Sequence, residues 1–501
     1  METKEHLDIL IIGAGISGID AAYRLQTAFP RKTYAILEAR DAIGGTWDLF
    51  RYPGVRSDSD MHTLGFPFRP WHADESIAEG SAIWNYIRET AAHFGIDRHV
   101  RLGHRMIQAS WSSDEARWTI EAETKDRRIV RLVCNFLYMC SGYYSYDQGF
   151  SPEFPGMKRF QGQFLHPQEW PETLDYAGKR IIVIGSGATA VTLVPALAKQ
   201  AAHVTMLQRS PSYVVTRPSK DAKAIWMFRH LPKKLAAKLT KWKNVLYSIT
   251  MFHLARTKPE KMKGVIIKGV RLQLHRDFDV KRHFTPRYNP WDQRICLVPD
   301  GDLFAAIRSG RVEIVTDTIE TFVESGIQLS SGTTLPADIV VSATGLVVKL
   351  MGGAEILVDG VPAKFDDKLV YKGAMFGGIP NLAFAFGYTN NSWTLRCDLT
   401  ARFVCRLLKY MDRKGRSVCV PSIPDPSVVP EPLIDFSSGY VRRANGVLPK
   451  QGQKAPWRVH QNYVKDLATF TCGSVSDGTM EFLERRNVRS AEQKRTGEVY
   501  G

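Results

Sequence analysis

Twice in this chain, at Gly13 and again at Gly185, a run of apolar β-formers ends in a glycine turn that opens directly into a helix-forming segment. The first copy reads Asp8-Ile-Leu-Ile-Ile12, then Gly13-Ala-Gly15-Ile-Ser17-Gly18, with helical patterning to about Leu25. The second reads Arg180-Ile-Ile-Val-Ile184, then Gly185-Ser186-Gly187-Ala188-Thr189-Ala190, with helical patterning to about Lys199. Each unit returns to a strand, Thr33 to Leu37 in the first and His203 to Leu207 in the second. Strand, glycine turn, helix and strand open a parallel βαβ unit that seats a pyrophosphate on the helix N-terminus. Two copies constrain the chain to an α/β fold with two Rossmann-like dinucleotide-binding domains.

The residues that differ between the copies predict different ligands. In the first, Gly13 permits the tight turn, Gly15 lets a pyrophosphate approach the backbone, and Gly18 allows close helix–strand packing. Glu38, at the end of the second strand, is placed to accept hydrogen bonds from a ribose diol and would repel a 2′-phosphate. That site is expected to take FAD or NAD. In the second copy alanine replaces the third glycine at Ala190, and the corresponding strand ends in Gln208-Arg209-Ser210. A guanidinium and a hydroxyl there suit a 2′-phosphate, so NADPH is expected. Two such sites in one chain imply NADPH reducing FAD. The seven cysteines form no Cys-x-x-Cys pair, so neither a redox dithiol nor a disulfide framework is expected. The electron acceptor is then molecular oxygen or a small molecule.

The 501 residues, 44% hydrophobic and 24% charged, call for more than one globular domain. Two further short strands ending in glycine, Phe136 to Gly142 and Asp338 to Gly345, suggest one domain inserted into another. The expected division is an FAD domain over 1–150 and 341–501 and an NADP domain over 151–220 and 286–340. Between the latter halves, 221–285 is expected to be a basic helical insertion, and the segment after Pro421 a wrapped tail. The polar opening residues and the lack of a long uncharged apolar run predict neither a secretory leader nor a membrane span, hence a cytoplasmic protein. The net charge of +16 is concentrated between Lys220 and Arg282, where seventeen Lys or Arg face four acids. Two readings are open there. One is a solvated helical face. The other is a peripheral membrane patch, because Leu231, Leu235, Leu239, Trp242, Leu246 and Ile249 recur at helical spacing among lysines. No nucleic-acid motif accompanies the charge.

Between the two turns lies Phe160-Gln-Gly162-Gln-Phe-Leu-His166-Pro-Gln-Glu-Trp170-Pro171. It matches F-x-G-x-x-x-H-x-x-x-W-P, and on it the chain resembles the type I Baeyer–Villiger monooxygenases. Gly44-Gly45-Thr46-Trp47, Arg51 to Asp60, Asn289 to Arg294, Ala343 to Gly345 and Gly387 to Trp393 also read as blocks of that family. The resemblance implies a peroxyflavin that oxidises a ketone to an ester or lactone, with sulfides as alternative substrates and O2 as co-substrate. It implies that Arg294 is the active-site arginine and that Asp58 pairs with it. Glu38, Gly45, Thr46, Trp47, Asp58 and the backbone of Met106 match FAD contacts. Arg56, Ser57 and Asp58, Gly185 to Val191, and Arg209 with Ser210 match NADP contacts. His166 is implied to sit at the hinge between the domains, coupling their motions rather than transferring protons.

Overall fold

The computed structural model describes residues 5–423 and 425–484. Residues 1–4, part of the opening segment read above, lie outside the described residues. Strand Glu5–Ile12 runs parallel to both Tyr34–Leu37 and Ile129–Met139. Ile9, Leu10 and Ile11 are buried, the two-sided burial of a central parallel strand. These strands belong to an eleven-stranded sheet. In it His104–Ser112, Arg117–Thr124 and Ile129–Met139 form an antiparallel meander, and Leu382–Phe384 adds in parallel beyond.

The second sheet is a five-stranded parallel one. Its order is Val312–Thr316, His203–Gln208, Arg180–Ile184, Ile339–Ser342, Gln163–Leu165. The strand order reverses direction about Arg180–Ile184, the strand that carries the second glycine turn. In open α/β sheets such a switch point leaves a crevice at the strands' carboxyl ends. The chain passes between the two sheets twice, and the two passages pair with one another as an antiparallel ribbon, Tyr144–Gly149 with Leu346–Val348.

Four helices occupy the segment read as an insertion: Ala222–His230, Lys233–Thr257, Pro259–Arg271 and Val280–Phe284. The apolar stripe read on the second of them is divided. Trp242 and Ile249 pack against the core beside buried Val245, whereas Leu235, Leu239 and Leu246 are 44%, 43% and 52% exposed. No described helix is long and apolar enough to cross a membrane. The tail holds to the body through a buried Arg396–Asp466 pair at 2.6 Å, buried Trp457, and pairing of Met480–Leu483 with Val418–Pro421. Short elements, Glu431–Pro432, Gly439–Arg443 and Lys450–Gln451, lie within the tail that follows Pro421.

Candidate active site

The first glycine turn is as tight as its spacing requires. Gly13 has φ +104°, and a Cβ there would lie 2.6 Å from the Cys140 carbonyl oxygen. A Cβ on Gly18 would lie 1.9 Å from the Gly13 oxygen, so the helix can sit this close to its strand only with glycine at that position. Helix Ile16–Ala28 starts at Gly15 with no side-chain cap and no acid in its first turn. Its free N–H groups and positive dipole end are thus available to an anion. Gly45 faces it across a narrow gap: a Cβ on Gly45 would lie 2.9 Å from the Gly15 Cα. Glu38 is buried, its two oxygens accepting from the Ala14 and Arg40 amides at 2.8 and 2.9 Å. Burial raises its pKa, and those two amides work against the rise. A carboxylate has about four acceptor sites, so the two left over fit the hydroxyls of a ribose.

The second turn repeats the geometry. Gly185 has φ +135°, and a Cβ there would lie 2.4 Å from the Ala343 oxygen. Gly187 starts helix Ala188–Leu197, again without a side-chain cap or an acid in the first turn. A Cβ on Gly187 would meet nothing within 4 Å, so its glycine leaves open space rather than close packing. That is room for a phosphate. Ala190 and Val191 turn their side chains into the core. Arg209 and Ser210 are exposed beyond the strand end, and Ser186 Oγ donates to the Ser210 carbonyl at 2.9 Å. Both turns therefore fit a dinucleotide.

One cavity of about 260 Å³ joins the turns. Its walls include Gly15, Ser17, Thr46 and Trp47 from the first unit, Ala188 and Thr189 from the second, and Arg56, Ser57, Asp58 and Arg294 between them. Arg294 grips Asp58 with two bonds, Nε to Oδ2 at 2.9 Å and Nη2 to Oδ1 at 3.0 Å. The carboxylate raises the arginine's pKa further, against desolvation, so the charge is permanent. Its Nη1 edge has no protein partner among the described residues. Arg56 is differently engaged: it pairs with Asp302 at 2.5 Å. Met106 lies in the antiparallel meander, opposite Ala122 and outside the cavity lining.

A second cavity of about 370 Å³ lies behind the first and shares Asp58, Ser59, Arg294, Leu297 and Asn391 with it. Its far wall comes from the insertion helices, with Met251, Met262, Val265, Ile266 and Val270. Sequence reasoning looked to the insertion for pocket residues but could name none of these, and it missed the tyrosines. Tyr143 and Tyr144 line the first cavity and share a 2.5 Å hydroxyl contact, and Tyr440 lies close enough to influence Arg294. The only signal for the first two was their place after the strand that ends at Gly142.

The F-x-G-x-x-x-H-x-x-x-W-P segment packs against the ribbon. Gly162 is forced by close approach, since a Cβ there would lie 2.5 Å from the Asp338 oxygen and 2.4 Å from the Phe160 ring. His166 Nδ1 accepts from the Gln168 amide at 3.1 Å, which assigns the proton to Nε2, 3.0 Å from the Gly345 carbonyl. Its ring lies flat on Gly149, where a Cβ would come within 1.9 Å of it. Burial lowers its pKa, the Gly345 contact acting in the opposite direction. Trp170 packs on the core of the second sheet, edge-on to Tyr176.

Residues 7–359 match the FMO-like family, described as flavin-binding monooxygenase-like. The chain is 52% identical to the FAD-containing monooxygenase EthA of Mycobacterium tuberculosis over 482 residues, covering 96% of this chain and 98% of that one. It is 46% identical to the probable FAD-binding monooxygenase AlmA of Acinetobacter baylyi over 493 residues, 98% and 99% of the two chains. Among solved structures, cyclohexanone monooxygenase from Rhodococcus sp. Phi1 bound to NADP+ aligns with a TM-score of 0.75 at 20% identity, covering 96% of this chain and 100% of that one. An oxidised steroid monooxygenase bound to NADP aligns with a TM-score of 0.74 at 22% identity and the same coverage. With two capless, acid-free helix starts facing one cavity, this chain belongs to the flavin-binding monooxygenase-like family.

Proposed function

We propose that this protein is an FAD-dependent, NADPH-consuming Baeyer–Villiger monooxygenase that converts ketones to esters or lactones and also oxidises sulfides and thioamides. The observation that carries this reading is the single cavity walled by Gly15 of the first turn, by Ala188 and Thr189 where the second turn opens its helix, and by Arg294. Glu38, the first glycine turn, Gly45, Thr46 and Trp47 would hold FAD. Gly185 to Val191 would hold NADP, with Arg209 and Ser210 to bind its 2′-phosphate. When bound and reduced, the flavin supplies activated dioxygen.

The chain's own residues do the rest. Asp58 fixes the guanidinium through Nε and Nη2 and leaves Nη1 to donate to the substrate carbonyl oxygen, where negative charge develops. An arginine cannot lose that charge by deprotonation. Tyr143, Tyr144 and Trp393 close the cavity around this point and limit water. His166 ties the two passages between the sheets together and transfers no proton. We also propose that the two sheets are the cores of the domains delimited as 1–150 with 341–501 and 151–220 with 286–340.

The test is Arg294→Ala with paired ketone and sulfide substrates. Ester formation is expected to fall ~100- to 1000-fold, the usual effect of losing one oxyanion partner. Sulfoxidation develops no such oxyanion and is expected to fall less, with bound FAD retained. Ester formation within a few-fold of wild type would remove Arg294 from this role. Equal losses on both substrates would favour the second reading, an S- or N-oxygenase in which Arg294 only places the nicotinamide.

A further proposal concerns the insertion. Leu235, Leu239 and Leu246, exposed among Lys233, Lys234, Lys238 and Lys241, support peripheral contact with an anionic lipid surface.

A further inference from the structure

The cavity behind Arg294 has an apolar wall and, at its other end, a cation that no carboxylate answers. Arg217 ends strand Val214–Arg217, which pairs in parallel with Cys296–Pro299, Val214 opposite Cys296 and Arg217 opposite Pro299. That register sets Arg217 three residues beyond Cys296, about 10 Å along the strands. Arg294 lies two residues on the other side of Cys296. The two arginines thus mark opposite ends of one cavity, both in its lining. The Arg217 guanidinium lies 4.9 Å from the centroid of the Tyr247 ring, and Tyr247 is 47% exposed, so this end is the mouth.

The neighbouring acids are all engaged elsewhere. Asp58 holds Arg294. Asp60 accepts from Thr63 and from Asn244 at 2.7 Å. Asp300, whose amide donates to the Arg217 carbonyl, turns its own carboxylate to the Ser219 amide at 3.0 Å. Among the described residues Arg217 makes no ion pair. A guanidinium stacked on an aromatic ring keeps its edge N–H groups free, and that edge matches a carboxylate in two-point geometry.

We propose that Arg217 is a specificity-determining residue that binds the carboxylate of a keto acid. The apolar chain of the acid lies along Met251, Met262, Val265 and Ile266, and its distant ketone is presented to Arg294. Substrates of this class carry ketone and carboxylate at opposite ends, since a 2-keto acid could not reach both arginines. The inference rests on the ketone reading given above.

Calorimetric titration of the FAD-loaded enzyme with nonanoate and with nonanol, neither of which carries a ketone, reads the carboxylate contact without turnover. Nonanoate is expected to bind at least tenfold more tightly than nonanol. Arg217→Gln should remove that preference, and Arg217→Lys should keep part of it, with flavin content and melting temperature matching wild type. In turnover, 8-oxononanoate should exceed its methyl ester at least tenfold in kcat/KM. That ratio should collapse in Arg217→Gln, mainly through KM. Equal binding of nonanoate and nonanol by wild type would overturn the proposal, as would equal losses for both in Arg217→Gln, which would leave Arg217 a purely structural partner of Tyr247. Arg217-dependent binding of nonanoate in an enzyme that oxidises no ketone would count against the ketone reading and leave the carboxylate site standing.

Discussion

At the scale of single residues, the two glycine turns share one backbone geometry and differ at the end of the strand that follows. Glu38 is buried and bonded to the backbone of its own turn, so replacing it disturbs folding and ligand together. Arg209 is exposed, and the described residues give it no hydrogen-bond or ion-pair partner, so its replacement reports on ligand alone. NADPH should exceed NADH at least tenfold in kcat/KM, about 1.4 kcal/mol. Arg209→Ala should raise KM for NADPH far more than for NADH. Steady-state kinetics with both cofactors checks this, and equal losses would remove Arg209 and Ser210 from the 2′-phosphate.

At the scale of elements, the ribbon Tyr144–Gly149 with Leu346–Val348 links the two sheets, and His166 bonds across it to Gly345. The coupling role proposed for His166 makes the alignment of Arg294, Asp58 and both turns depend on that bond. A Gln side chain can reproduce the Nε2 donor but has no proton chemistry. His166→Gln should therefore retain most of the rate of flavin reduction by NADPH, while His166→Ala loses it. Equal loss in both variants, read by stopped-flow absorbance, would instead make the imidazole an acid or base. The pH dependence follows from the lowered pKa. Below the free histidine value of about 6.5, the unfolded chain binds a proton that the folded protein resists. The contribution of His166 is thus full above that pH and declines as the solution is acidified. The difference in melting temperature between wild type and His166→Gln should narrow between pH 7 and pH 5. The insertion gives a further test at this scale. The protein should sediment with anionic vesicles and be released by salt, but not sediment with neutral ones. Equal behaviour with both would leave its lysines as a solvated face.

At the scale of the whole molecule, what could be read from sequence was what backbone geometry imposes locally. Gly13, Gly18 and Gly185 stand where a Cβ would collide with backbone, and Gly162 where it would collide with its neighbours, so their spacing is itself a structural record. His166 and Trp170 were legible for the same reason, as members of one short segment. Arg294 and Asp58 were legible only through family blocks, because 236 residues separate them and only the packing of two sheets brings them to 2.9 Å. The second cavity was legible only as far as the insertion being a source of pocket residues, not in any of its side chains. Its wall joins strand Val214–Arg217, two insertion helices and the Asn390–Ser392 turn, and helical periodicity does not distinguish a face turned to solvent from one turned to a cavity. The same limit explains the divided stripe of Lys233–Thr257, where Trp242 packs inward and Leu239 does not. The antiparallel meander also escaped notice: in His104–Ser112 the polar–apolar alternation is broken where the register shifts between Met106 and Gln108.

In the function proposed here, both turns and Arg294 serve one reaction, in which NADPH and dioxygen place a single oxygen atom into a ketone. Its most direct test is product analysis under isotopically labelled dioxygen, with the FAD-loaded enzyme, NADPH and a medium-chain methyl ketone. The expected product is an ester carrying one labelled atom at the bridging position, formed in step with NADPH oxidation, the other labelled atom leaving as water. NADPH consumption that yields only hydrogen peroxide, or a sulfoxide from a sulfide with no ester from any ketone, would contradict it.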